Sequence, residues 1–434
     1  MPRFFYTLVY YSLVPFLFLR LLLKHQKSND YKDQRQALRL AERLGFFRPP
    51  VFIERPIWIH TVSVGEFLAT LPLLKQLQEK YNHYPIVITC TTTTGSAQIC
   101  KTFAQEIQQG RVFHVYLPYD LPGAMRRFMQ ALKPRLAIIM ETEIWPNLLT
   151  VAEQQEIPVC LLNARMSPRS AKGYARIKRL IAPSLKQLSF IAAQDSMDAK
   201  RLINLGAEES HLAITGSIKY DLKLNSDDIA YGKSLREQLN WQDRKVLIAA
   251  STHQGEDEML LSVYRQLKKQ YDNLSLIIVP RHPERFQSVY QLLNVDALNV
   301  LKRSQMNAAF DLPVDILLGD SMGEMIRYFA CADIVFMGGT LVKTGGHNIL
   351  EPAALGLPII YGPHMFNFNA INALFLQHQA VQQVADEQQL KAGLEEMLLD
   401  ETQAHEMGAR AKELMAKNAG AVDKMMQSIQ IFLT

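Results

Sequence analysis

In the stretch HTVSVGEFLATLP, His60 to Pro72, an alternating apolar run closes at Ser63 and Gly65, and Glu66 falls in the first turn of a predicted amphipathic helix. A carboxylate there either complements the helix dipole, an effect well under about 1 kcal/mol, or serves as a base at a strand-to-helix turn. Near a helix N-terminus its pKa is expected to fall, leaving it ionised at neutral pH. Glu141 and Glu143, ahead of Trp145-Pro146, place more carboxylates at another strand end, and Arg165 follows Asn163 at a third. The second half carries Ser251 and His253, then Arg281 and His282, then GGTLVKTGGHNILEP from Gly338 to Pro352. Gly338 and Gly339 close a strand and Gly346 permits close backbone approach. Asn348 to Glu351 opens a predicted helix whose free amides favour a phosphate, and Glu351 can accept from a ribose diol. Arg281 suits a phosphate or carboxylate, with a helix cap or ion pair as its alternative. His347 taken alone reads as a structural donor. A base for a hydroxyl together with a positive pocket for a departing phosphate is what glycosyl transfer needs.

The elements that must position these residues alternate. IWIHTVSV, PIVITCTTT, RVFHVYLP, RLAIIMETE, PVCLLNAR and FIAAQDS read as strands separated by helical stretches such as AMRRFMQALK. The polar stretch DLKLNSDDIAYGKSL reads as a linker, and the pattern restarts with VLIAAST, SLIIVPRH, VDILLGD, DIVFMGGT and PIIYGP. This predicts an α/β chain with two Rossmann-like, doubly wound parallel-sheet domains, whose ligand sites lie at the carboxyl ends of the strands in a cleft. The expected division is an anchor over 1–26, a first domain over 27–220, a linker over 221–243 and a second domain over 244–434, whose terminal helices can pack back on the first.

At 434 residues one core is too small for the chain. The four cysteines, Cys90, Cys100, Cys160 and Cys331, form no C-x-x-C pair, which suits a reducing compartment. There is no G-x-G-x-x-G, Walker loop, H-E-x-x-H or D-x-D pair, so no metal site or cofactor is expected. Between Lys24 and Arg48 lie seven basic residues against three acidic ones; between Arg165 and Lys186 lie seven basic and no acidic ones. Their interleaving with apolar residues, and the scarcity of stacking aromatics, fits a membrane surface better than nucleic acid. FFYTLVYYSLVPFLFLRLLLK, Phe4 to Lys24, is long enough for a bilayer core and reads as an uncleaved anchor, spanning or lying in the inner leaflet, with Arg20, Lys24 and Lys27 holding the body in the cytoplasm.

HTVSVGE, METEIWPN, NARMSPRS, STHQGE, VPRHPERF, GGHNILEP and YGPHMFNF closely resemble stretches of the 3-deoxy-D-manno-octulosonic acid (Kdo) transferases of lipopolysaccharide assembly, in the same order and nearly end to end. The resemblance implies a GT-B glycosyltransferase at the cytoplasmic face of the Gram-negative inner membrane. It would be inverting and metal-independent, moving Kdo from CMP-Kdo to a lipid A precursor, lipid IVA. It implies Glu66 as general base, Glu141 as a second functional carboxylate, Arg281 on the nucleotide side, and Gly338, Gly339, Asn348 and Glu351 around CMP. Alternatives are a membrane-associated sugar-nucleotide epimerase on the same fold, or a nucleotide-sugar sensor without chemistry.

Overall fold

Short runs of Val, Ile and Leu without polar alternation form strands buried on both faces, as crossover helices require. In a computed structural model, residues 2–26, 39–294, 298–306 and 313–434 are described, with side chains from 2–19 in the first of these segments. Lys27, Lys32 and Arg35 of the first basic run, and the expected boundary between anchor and first domain, lie outside the described residues. The chain divides into two compact units, Met1–Asp221 with Ala419–Thr434, and Leu222–Asn418.

Among the described residues the first unit holds seven parallel strands: β1 (Ile57–His60), β2 (Ile86–Cys90), β3 (Val112–Tyr116), β4 (Leu136–Met140), β5 (Val159–Ala164), β6 (Phe190–Ala193) and β7 (Leu212–Ile214). They are ordered β3-β2-β1-β4-β5-β6-β7. Successive side chains point to opposite faces, so Trp58 joins one core with Phe128 and Leu161, and its neighbours Ile57 and Ile59 join another with Leu74 and Ile138. The second core is closed by the C-terminal helix Ala421–Ile429, through Val422, Met425 and Met426. Asp221 anchors the start of that helix by accepting the amides of Gly420 and Val422.

The helix Pro2–Gln26 is long and apolar enough to cross a membrane. One of its faces is docked on the first unit. Tyr6 donates to Asp120 at 2.9 Å, Thr7 pairs with Asn147, and Val14 packs with Leu121 and Ala124 beside Phe18 and Tyr119. The other face shows Phe4, Phe5, Leu8, Val9 and Phe16 to solvent. The helix Lys178–Lys186, from the second basic run, packs beside it.

The second unit holds β8 (Lys245–Thr252), β9 (Leu274–Pro280), β10 (Val300–Lys302), β11 (Ile316–Leu318), β12 (Ile334–Met337), β13 (Ile359–Tyr361) and β14 (Gln382–Gln383), ordered β10-β11-β9-β8-β12-β13-β14. The stretch expected to be a linker over 221–243 is instead largely the helix Ser226–Gln238 of this unit. Its polar opening is helix-start chemistry: Asn225 caps the Asp227 amide, and Asp228 pairs with Arg327 at 2.7 Å. Gly232 lets it cross the helix Met325–Cys331 closely, since a Cβ there would lie 2.5 Å from the Ala330 Cβ and the Arg327 carbonyl. Of the two sheets' connections, those at β1/β4 and β8/β12 reverse the strand order, and at such switch points a doubly wound sheet binds its ligand.

Candidate active site

In the first unit a candidate site sits at the carboxyl ends of β1 and β4. Ser63 caps the helix Val64–Lys80, its Oγ 3.4 Å from the Glu66 amide, and donates to Glu66 Oε1 at 3.3 Å. Glu66 Oε2 accepts the Val62 amide at 2.7 Å, and Gly65 stands exposed beside it. The carboxylate is thus oriented by its own turn, which gives it a capping role along with any chemical one. Its pKa is not lowered, as the helix N-terminus led one to expect, but raised to about 7: burial is the largest cause, and the charges of Glu141 and Glu143 add to it, overriding the Val62 amide and Ser63 hydrogen bonds.

Glu141 is only 12% exposed and lies 3.5 Å from Arg165. Its φ of 61° is left-handed, as are those of Asn163 (54°) and Ser251 (58°). All three lie at strand ends, and Asn163 and Ser251 coincide with register shifts against β6 and β9, the kind of bulge that re-aims a side chain next to a site. Glu143 accepts from the Trp145 indole at 2.5 Å, and burial pushes its carboxyl up.

In the second unit a candidate site gathers the loops after β8, β9 and β12. Gly338 has to be glycine, because a Cβ would fall 2.5 Å from the Ser251 carbonyl oxygen. His253 and His347 share a hydrogen bond at 2.9 Å, and His282 meets the His253 ring edge-on. Arg281 and His282 are exposed; among the described residues the Arg281 side chain makes no hydrogen bond or ion pair, so it serves neither as a cap nor in a bridge. Asn348 caps the Leu350 amide at 3.2 Å and reaches Glu351, whose carboxyl is raised by burial. The helix after it starts at Leu350 and ends at Leu355, later and shorter than the spacing implied. Gly346 lies in the same loop, its amide donating to the Gly339 carbonyl at 2.8 Å.

Sequence reasoning overlooked Glu256. It is fully buried, and its two oxygens accept four backbone amides, those of His253, Gly339, Thr340 and Leu341, at 2.7 to 3.0 Å. It therefore joins the β8 loop to the β12 loop. Beside it the buried Asp257 pairs with Arg285 and accepts from Thr252 at 2.6 Å. The available signal was the acidic triplet Glu256-Asp257-Glu258, more carboxylates than one helix start needs. Among the described residues no cluster of three His, Cys, Asp or Glu is arranged to hold a metal ion.

Two doubly wound units, each with polar loops at its switch point, are the architecture of a GT-B-type glycosyltransferase. Residues 38–222 match the family model described as 3-deoxy-D-manno-octulosonic-acid transferase, and 235–414 match glycosyl transferases group 1. A 3-deoxy-D-manno-octulosonic acid transferase of Haemophilus influenzae is 41% identical over 100% of this chain and 99% of its own, and one of Bordetella pertussis is 31% identical over the whole of both. The chain belongs to the Kdo transferase family: it is a glycosyltransferase that transfers Kdo in lipopolysaccharide biosynthesis. Among solved structures, a UDP-GlcNAc 2-epimerase of Neisseria meningitidis superposes with TM-score 0.56, covering 86% of this chain and 99% of its own, at 13% identity, a likeness of fold alone.

Proposed function

We propose that the chain moves Kdo from CMP-Kdo to a glucosamine hydroxyl of a lipid A precursor such as lipid IVA, with inversion and without a metal. The observation that carries this reading is Glu66: a carboxylate held by its own turn, with a pKa near 7, which is where a general base is most effective at neutral pH. Glu66 takes the acceptor proton as the hydroxyl oxygen bonds to the anomeric carbon. The bond from that carbon to the phosphate oxygen breaks, and CMP leaves. Glu141, oriented by Arg165, and Glu143 tune the base, and Ser63 and Gly65 shape its turn. In the second unit Arg281 and His282 meet the phosphate. Ser251, His253, Gly338, Gly339 and Gly346 form the donor loops, and Asn348 and Glu351 hold the nucleoside.

The acceptor is an anionic glycolipid, and the first unit offers a matching surface. Phe4, Phe5, Leu8 and Phe16 project from the N-terminal helix, and the exposed Arg169, Lys172, Arg176, Lys178 and Arg179 lie on the neighbouring basic helices. This supports attachment to the cytoplasmic face of the inner membrane, the helix lying along the interface with its docked face toward the protein. The test is mass spectrometry of a tetraacylated lipid A precursor incubated with CMP-Kdo and purified protein, with and without EDTA. Kdo mass increments that survive EDTA support the reading and count the sugars added. No increment would refute the acceptor assignment, and loss with EDTA would refute the metal-free site.

A further inference from the structure

His347, taken alone a structural donor, is tied to His253 in a way that carries chemistry. Their Nε2 atoms are 2.9 Å apart, the ring planes differ by 6°, and the ring centroids are 5.1 Å apart. That separation equals the hydrogen bond plus one ring radius at each end, so the rings lie head to head in one plane, an N–H···N bond and not a face-to-face stack. One Nε2 carries the shared proton and the other accepts it. The donating ring then keeps a bare Nδ1, which can take up one further proton without breaking the contact. A second would force two N–H groups together.

The surroundings favour an uncharged pair until an anion arrives. Gly339 leaves room for the His347 ring, since a Cβ there would lie 3.0 Å from its Cδ2 and Nε2. Glu256, whose oxygens are held by four amides, acts to raise His253, but burial outweighs it, and Arg285, paired with Asp257, acts against it. The remaining charged and titratable neighbours are Arg281, without an ion pair among the described residues, and His282, 4.0 Å from Glu284. Burial, followed by Arg281 and the neighbouring histidines, brings His347 down to about 4, and burial also lowers His253.

We propose that His253 and His347 form one proton-accepting unit, which charges when the site holds a phosphate monoester and discharges when it holds a phosphodiester or is empty. The inference rests on the donor reading above. CMP-Kdo carries a phosphodiester and CMP a monoester, so the phosphate gains a negative charge as the anomeric bond breaks. A proton drawn from solvent onto the pair offsets that charge, and its loss accompanies product exit. Neither histidine forms a covalent bond.

The experiment is calorimetric titration of the full chain with CMP near neutral pH, in two buffers of different ionisation enthalpy, for wild type, His347→Asn and His253→Asn. Wild type should take up about one proton per CMP bound, and each variant almost none, with CMP affinity below neutral pH reduced roughly 10-fold. Melting curves report folding. Imidazole NMR of the wild-type chain gives a readout without any substitution: one ring should become an imidazolium on CMP addition. CMP binding without proton uptake, or uptake that persists in His347→Asn, overturns the pair's role alone. Failure of CMP to bind overturns the donor reading beneath it.

Discussion

Glu256 accepts the Gly339 amide at 2.7 Å although 83 residues separate them in sequence. Through this bond the loop that follows β8 fixes the loop that follows β12. Replacing the carboxylate with an amide turns an NH2 group toward backbone N–H donors, leaving some of them buried and unpaired at about 1–3 kcal/mol each. Glu256→Gln should therefore weaken CMP binding by roughly 10- to 100-fold. Calorimetric titration measures it, and unchanged affinity would remove the residue from the donor site.

Glu66 makes a prediction with a sign. Only its ionised form accepts a proton, and its pKa is raised to about 7. Activity should fall about tenfold per pH unit below that value and level off above it. Glu66→Gln should abolish turnover and leave CMP affinity unchanged. The raised pKa also means that the folded state holds this proton at a pH where the unfolded chain has lost it. Stability from this group is therefore fully present below the ordinary glutamate value and lost as pH rises through about 7. In Glu66→Gln that decline should disappear from melting curves recorded between pH 5 and 8.

Because Glu141 is among the charges that raise Glu66, Glu141→Gln should move the acidic limb of the rate profile to lower pH. A lower plateau rate is also expected, since Arg165 loses its partner at 3.5 Å. A pH–rate series on the purified variant separates the two effects. An unmoved limb would mean that burial and Glu143 set the base without Glu141.

The long apolar runs are legible because strands buried on both faces leave no polar alternation to misread: β1, β2, β4 and β5 fall within the expected segments, and β8 and β9 begin one residue before theirs. The edge strands β7, β10 and β14 escaped notice. Each has two or three residues, partly exposed, too few to show a period. The pKa of Glu66 was misjudged because a first-turn position shows in sequence but burial and the folded proximity of Glu141 do not. Glu256 is hidden for the same reason, three of its four partners being backbone amides more than 80 residues along the chain.

The helix Ser226–Gln238 looks like a linker in sequence because its exposed face is polar and its buried contact depends on Gly232, a weak helix former. The crossing gives the structure's alternative a direct test. Gly232→Ala would favour a helix in isolation, yet the added Cβ meets Ala330 and the Arg327 carbonyl at 2.5 Å. The overpacked crossing should lose about 1–3 kcal/mol in urea unfolding, whereas a solvated linker would lose nothing.

The docked face of the N-terminal helix separates lying on a membrane from crossing it. Asp120 is buried, and it accepts the amides of Asn147 and Leu148 at 3.0 and 2.7 Å together with the Tyr6 hydroxyl. A spanning helix would have to pull Tyr6 and Thr7 off these partners and carry their hydroxyls into hydrocarbon, at a cost of a few kcal/mol. Removing the exposed apolar face instead should cancel binding while sparing the dock. In Phe5→Ser with Phe16→Ser, each ring lost from the interface removes about 1.5–3 kcal/mol of transfer energy. Partition onto anionic vesicles should then fall by at least about 100-fold, and Kdo transfer to a short-chain, water-soluble acceptor should persist. Tyr6→Phe should cost about 1 kcal/mol of stability and leave partition unchanged. Vesicle sedimentation of the two variants decides the matter: strong binding by the Phe5, Phe16 variant would mean that another surface meets the lipid.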